Sequence, residues 1–283
     1  MIQAGIYHTL KVARKVDFGY YLTDGSDEIL LPARFVPKGV KEGDLLEVFV
    51  YHDSDNRLIS TTQKPKGIAG EIVLLQVVST TEQGAFMDWG LMKDIFVPKS
   101  QQVARMHQGQ SYLVLIYVDQ QTGRVAATEK FHDHLANDTL TVKEMEQVSL
   151  TVWQKTDIGY KMIINNRHTG VLHFNEVFRE LNYGERLEGF VKHIGPGTGT
   201  GQTIDLVLGA PGYQRVAGER EKILQMLKEH DGYLPYNDKT PPEEIYQVFG
   251  MSKKTFKMTL GNLYKEKIIT LTKTGFRLTE DNL

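Results

Sequence analysis

Three times along the chain a glycine opens a short apolar strand, a turn follows, and a second apolar strand closes the unit. The clearest copy is Gly84-Ala85-Phe86-Met87-Asp88-Trp89-Gly90 followed by Asp94-Ile95-Phe96-Val97-Pro98. Before it stands Gly19-Tyr20-Tyr21-Leu22 with Glu28-Ile29-Leu30-Leu31-Pro32, and after it Gly159-Tyr160-Lys161-Met162 with Thr169-Gly170-Val171-Leu172-His173. In every copy a second glycine, Gly43, Gly109 or Gly184, leads into a longer run of strand formers. Gly19 to Gly84 spans 65 positions and Gly43 to Gly109 spans 66, while Gly84 to Gly159 and Gly109 to Gly184 both span 75. Three unrelated β-hairpins, the competing reading, have no reason to hold such offsets. Units of this length with about five strands each are too long for a solenoid repeat and suit small closed barrels strung in tandem.

Length alone, at 283 residues, suggests about two domains, and the repeat raises this to four small ones. No run of about 18 apolar residues is present and the start Met1-Ile2-Gln3-Ala4 has no leader pattern, so the expectation is a cytoplasmic protein with no membrane span. The absence of cysteine excludes disulfides, thiolate catalysis and cysteine-bound metal centres. A formal charge of −2 argues against a surface coated in cations, so any nucleic-acid binding has to be local. Charge does gather in one place: Lys253, Lys254, Lys257, Lys265, Lys267, Lys273 and Arg277 face the single acid Glu266.

In the first unit strands are expected at 6–16, 19–22, 28–31, 45–51 and 58–62, with Asp24-Gly25 as a hairpin turn. The second unit repeats this at 72–78, 84–88, 94–97, 112–118 and 123–128, after a linker Lys64-Pro65-Lys66-Gly67. Alternation then lapses between Thr128 and Gln147, which reads as a short helix or connector and accounts for the longer second offset. The third unit resumes at Val148 and ends near Leu208, its last two strands joined by a glycine-rich loop from Gly195 to Gly201.

After Gly209-Ala210-Pro211-Gly212 the apolar period changes to that of a helix, with Val216, Ile223, Leu224 and Leu227 on one face. Thr240, Pro241 and Glu243 have the spacing of a capping box, and Gly250 is placed to end the helix they start. Ser252 can cap a following helix that turns Phe256, Leu260 and Leu263 inward. Lys267 to Leu271 and Phe276 to Leu278 then read as a two-stranded wing, which completes a winged helix-turn-helix.

At Gly170-Val171-Leu172-His173-Phe174-Asn175-Glu176 the third unit resembles the S1 RNA-binding domain, an OB-fold barrel with a signature near G-x-F-V followed by G-L-V-H-I-S-E. The first two units keep the glycine and the aromatic, with Leu31 and Val97 standing where His173 does. Three such units before a winged helix resemble the conserved virulence factor B family of bacterial RNA-binding regulators. The resemblance implies a mainly β protein with an α+β C-terminus: three tandem S1-like OB-fold barrels at 1–64, 65–130 and 145–212, and a winged-helix domain at 213–283. It also places Tyr21, Phe86 and His173 at RNA-binding positions, and Lys161 where an aromatic is expected in the third barrel.

Strand parity agrees: Tyr21, Phe86 and Lys161 fall on one side of their strands, Leu22, Met87 and Met162 on the other. Bases can stack on such aromatics while cations meet phosphates. Trp153 reads as core, and Trp89 as the brace of a hairpin or a domain interface. Lys253, Lys254, Lys257 and Lys273 are the candidate nucleic-acid contacts of the winged helix. His132-Asp133-His134 has no third ligand in view, and the Gly195–Gly201 loop lacks the lysine and hydroxyl residue of a Walker loop. No acid/base pair or nucleophile elbow appears, so neither metal, cofactor nor enzymatic activity is expected. The reading is a non-enzymatic binder of single-stranded RNA that regulates gene expression, with two rivals: a regulator that reads duplex DNA through the winged helix, and a protein-interaction scaffold with degenerate barrels.

Overall fold

A computed structural model describes residues 1–177, 179–197, 201–209 and 213–279, the side chains of 213–218 excepted. The chain forms two compact units, Met1–His134 and Leu135–Leu283. The first holds two barrels and the second a barrel followed by the helical domain. Part of the glycine-rich loop, the segment 210–212 and the side chain of Val216 lie outside the described residues.

The first barrel is built from β1 (Tyr7–Val16), β2 (Gly19–Thr23), β3 (Glu28–Pro32), β4 (Leu45–His52) and β5 (Leu58–Thr61). They close in the order β1-β2-β3-β5-β4. The second uses β6 (Ile72–Thr80), β7 (Gly84–Met87), β8 (Ile95–Pro98), β9 (Ser111–Val118) and β10 (Val125–Thr128). Its strands keep the same neighbours, except that β8 and β10 form no ladder. The third, β11 (Gln147–Lys155), β12 (Gly159–Ile164), β13 (His168–His173), β14 (Arg186–Pro196) and β15 (Gln202–Val207), closes like the first. The closing ladder is parallel and short, one pair at Leu30–Ile59 and two at Val171–Asp205 and Leu172–Leu206, so losing it in the second barrel changes little else.

The repeated glycine has a steric cause. A Cβ on Gly19 would stand 2.1 Å from the Leu31 carbonyl oxygen, on Gly84 2.2 Å from that of Val97, and on Gly159 2.3 Å from that of Leu172. In each barrel the third strand passes so close to the start of the second that only glycine fits. The three barrels share a second irregularity, a β-bulge in the first strand between Val12 and Arg14, Val77 and Ser79, and Val152 and Gln154.

The first barrel packs Leu10, Leu22, Leu31 and Val48 inside, while Phe49, Tyr51 and Ile59 leave that core and join the core of the second barrel. Trp89 makes the join. Its ring is 3% exposed and meets Phe49 edge-on at 5.3 Å, and its Nε1 donates to the Gly67 carbonyl at 2.8 Å. The linker is thus stapled to the barrel it precedes. In the third barrel the connector is pinned by Asn137, whose side chain accepts from the Thr169 N–H and donates to the carbonyls of Thr169 and Gln202.

The C-terminal domain comprises α1 (Tyr213–Glu229), β16 (Tyr233–Leu234), α2 (Pro242–Phe249), α3 (Lys253–Lys265), β17 (Ile269–Leu271) and β18 (Phe276–Leu278). Ile223, Leu227, Phe249, Phe256 and Phe276 form its core. Gly250 takes a left-handed conformation at φ 66° to end α2, and the Ser252 hydroxyl caps α3 by accepting from the Thr255 N–H. Two details depart from expectation. The wing is a three-stranded sheet, β16-β18-β17, because Tyr233 and Leu234 pair with β18. The capping box at Thr240 does not form: Pro241 occupies the cap position, and the Thr240 hydroxyl accepts instead from the Asn237 N–H. Either proline suits the first helical position, and α2 starts at the second, Pro242, which leaves Thr240 one residue outside the cap.

Gly159→Ala should cost about 1–3 kcal/mol in urea unfolding, since the Leu172 backbone has to shift. Gly261→Ala, in α3 with nothing near its missing Cβ, should instead gain about 0.5–1 kcal/mol. Equal effects of the two would refute the steric account.

Candidate nucleic-acid interface

The alternation set by the glycine sorts the second strand of each barrel. Leu22, Met87 and Met162 are fully buried, while Tyr21, Phe86 and Lys161 are half-exposed on the outer face. Their ladder partners on the third strand, Leu30, Phe96 and Val171, are half-exposed beside them. Each barrel therefore presents a small outward patch at the same place, with different chemistry.

In the second barrel the patch is a pair of rings, Phe86 and Phe96, with centroids 4.9 Å apart. In the first, the Tyr21 ring lies 4.0 Å beneath the Arg14 guanidinium, which is itself paired with Glu28 at 2.8 Å. Phe18, 58% exposed, stands edge-on to Tyr21 at 6.5 Å. A bound base would find one face of Tyr21 already covered by a cation.

In the third barrel Lys161 is not alone. Its Nζ sits 4.2 Å above the ring of Trp153, which is half-exposed and not a core residue as its sequence context suggested. The reason is the bulge: Val152 faces Met162 and Gln154 faces Lys161, so Trp153 is the extra residue, turned out against the same partner. The aromatic missing from β12 is supplied by β11. Its signal in the sequence is parity, since Val148, Leu150 and Val152 all point inward.

His173 requires a second correction. It lies opposite Gly159, as Pro32 lies opposite Gly19 and Pro98 opposite Gly84. Leu31 and Val97 are therefore the counterparts of buried Leu172, and all three are fully buried. Prolines stand where His173 does. The His173 side chain, 37% exposed, places Nε2 3.1 Å from Asp205 Oδ1 and shares its face with Val171 and Lys161. The structure thus brings Lys161, Trp153 and His173 to one side of one barrel, while Tyr21 and Phe86 sit on two others.

On the winged helix Lys254, Lys257 and Lys273 are exposed and Lys253 is half-exposed. Lys253 and Lys254 lie in the opening turn of α3, where there is no acid, Lys257 follows one turn on, and Lys273 lies in the turn between β17 and β18. No described carboxylate pairs with any of the four. Cations at a helix N-terminus add to its positive pole, so this end of α3 is an unneutralised positive spot. Among the described residues no three His, Cys, Asp or Glu side chains gather to hold a metal ion, and no helix is long and apolar enough to cross a membrane.

Three barrels of S1 type ahead of a winged helix define a multidomain protein made of nucleic-acid-binding folds. An S1 domain model matches residues 4–63 and 69–129, and a CvfB-like winged helix domain model matches residues 221–278. The uncharacterized protein YitL of Bacillus subtilis is 30% identical over 266 residues, 91% of this chain and 87% of that protein. Conserved virulence factor B of Staphylococcus epidermidis is 28% identical, covering 84% of each, and that of Staphylococcus aureus is 28% identical, covering 83% of this chain and 81% of its own. A multidomain protein with nucleic acid binding domains from Streptococcus pneumoniae aligns over 98% of both chains at 21% identity and a TM-score of 0.41. The chain belongs to the conserved virulence factor B family. Its S1 domains support nucleic-acid binding as its activity.

A half-exposed cation over a ring contributes little to folding. Lys161→Met should therefore shift the urea stability by no more than about 0.5–1 kcal/mol. A larger loss would make the Lys161–Trp153 pair a structural brace.

Proposed function

We propose that the chain binds single-stranded RNA without catalysing a reaction on it, and regulates gene expression in the cytoplasm by doing so. The barrels, taken as 1–64, 65–130 and 145–212, each offer one weak site; the winged-helix domain is taken as 213–283. The observation that carries this is the outward patch repeated at one barrel position: Tyr21 with Arg14, Phe86 with Phe96, and Trp153 with Lys161 and His173. Stacking on an aromatic is worth about 1–3 kcal/mol per base and tolerates any sequence, so useful affinity does not need a basic surface. Sites tethered in one chain raise one another's effective concentration along a single strand.

The unpaired lysines favour a second role. Lys253, Lys254 and Lys257 at the start of α3, with Lys273 on the wing, are placed to meet the phosphates of a duplex, and α3 is the helix that would enter its groove. We assign this DNA contact to the winged helix alone.

Phe86→Ala and Trp153→Ala should each weaken binding of a short single-stranded RNA by roughly fivefold to a hundredfold, from the stacking energy of one base, with little change in melting temperature. Wild-type affinity in both folded variants would reject the barrel sites. Lys254→Glu with Lys257→Glu should leave RNA affinity within about twofold and weaken duplex DNA binding at least tenfold, each phosphate contact being lost together with its released counterions. Equal losses on both ligands would reject the division of labour.

A further inference from the structure

Beside Phe86, at the seam between the first two barrels, opens a cavity of about 410 Å³. That is within the range of about 300–1,000 Å³ found for small-ligand sites. Both barrels line it. The second barrel gives the Phe86–Phe96 pair and Tyr117, the first gives His52 from the end of β4. Lys93 reaches across the seam, its Nζ donating to the carbonyls of His52 at 3.0 Å and Asp53 at 2.9 Å.

The charges around this cavity are unbalanced in an informative way. Lys93 is half-buried and Arg124 stands exposed at the rim; neither pairs with a described carboxylate. Burial holds the Lys93 ammonium below its ordinary value and the nearby Arg124 adds to this. Burial likewise lowers the His52 imidazole, and Lys93 and Arg124 push it further down. Buried His52 Nδ1 has no hydrogen-bond partner among the described residues. The nearest opposing charge is Asp53, which is itself ion-paired with Arg57, so the two cations leave a place for an anion. Of the two acids on the lining, Asp119 is tied into its own turn by the N–H groups of Gln121 and Thr122 and by the Thr122 hydroxyl. The other, Asp94, is half-buried and receives no hydrogen bond from a described residue, and burial raises its carboxyl above the usual range. Aromatic walls, an acceptor without a donor and cations without an ion-pair partner are the complement of one nucleotide: a flat base with N–H groups and a phosphate.

We propose that this seam is a single-nucleotide pocket, in which one base of a bound strand inserts against Phe86, Phe96 and Tyr117 and donates to Asp94, while its phosphate is held by Arg124 and Lys93 beside His52. The inference rests on the RNA-binding reading and deepens it. The site of the second barrel is completed by the first, so the two act as one binding unit.

Three full-length variants and the wild type, titrated with a short fluorescein-labelled single-stranded RNA and melted in parallel, test this. His52→Glu sets a carboxylate beside Lys93 and Arg124 and fills the anion position from within. It should weaken RNA binding about tenfold, the scale of a lost charge-assisted contact, with a melting temperature unchanged or higher. Arg124→Gln, at the exposed rim, should weaken binding roughly threefold to tenfold with no change in melting. Wild-type affinity in both, alongside a loss in Phe86→Ala, would overturn the composite pocket and leave the barrel site standing. Affinity that falls only together with the melting temperature would also overturn it. Failure of the wild type to bind the RNA at all would instead remove the reading on which the pocket rests.

Discussion

In each barrel the backbone of the third strand passes so close to the first residue of the second that no side chain fits between them. Three glycines, Gly19, Gly84 and Gly159, meet this constraint against the carbonyls of Leu31, Val97 and Leu172. Because a strand alternates with a period of two, fixing that one residue fixes the face of every residue after it. Leu22, Met87 and Met162 are driven into the barrels, and positions 21, 86 and 161 are driven out. A slip of one residue would bury the outward patch and expose the core. The candidate binding face is in this sense a by-product of a packing requirement, and the chain was then free to vary what it carries there.

The variation has physical limits. A base needs a flat apolar surface, and each barrel supplies one by a different route: a tyrosine under an arginine, a phenylalanine pair across two strands, and a tryptophan delivered by a bulge. Cations accompany the first and third and stand near the second, which lets a protein of net charge −2 meet a polyanion without a basic coat. The first two barrels are also fused by Trp89 and Phe49 into one core. That fusion builds the seam cavity, since neither barrel alone has both His52 and Phe86.

Much of this was legible in the residues. Matched offsets of the paired glycines revealed the repeat, parity in the second strand separated inside from outside, and the change of period after residue 209 marked the helical domain. What escaped was whatever depends on a partner strand. An aromatic in a strand usually packs, which makes Trp153 look like core, and the bulge that exposes it appears only when β11 is aligned with β12. Along the chain Leu31 and Val97 stand in for His173, whereas the ladder position opposite the glycine makes Pro32 and Pro98 its counterparts. The two-residue β16 is too short to carry a pattern, and two consecutive prolines leave the helix start ambiguous by one residue, so that Thr240 has cap chemistry but stands one position before the cap. His52 gave no sequence signal, because its place beside Lys93 is a property of two barrels packed together.

The central claim is that RNA is held by stacking on a few outward rings with few phosphate contacts. The salt dependence of single-stranded RNA affinity for the full chain measures this directly. Each phosphate contact on a single strand contributes a slope of about −0.7 in log affinity against log salt, so two to four contacts predict a slope of roughly −1.5 to −3. A shallow slope with retained affinity at high salt agrees with the account. A slope steeper than about −5, or affinity for single-stranded RNA that vanishes at moderate salt, would contradict it and move binding to the lysines of the winged helix.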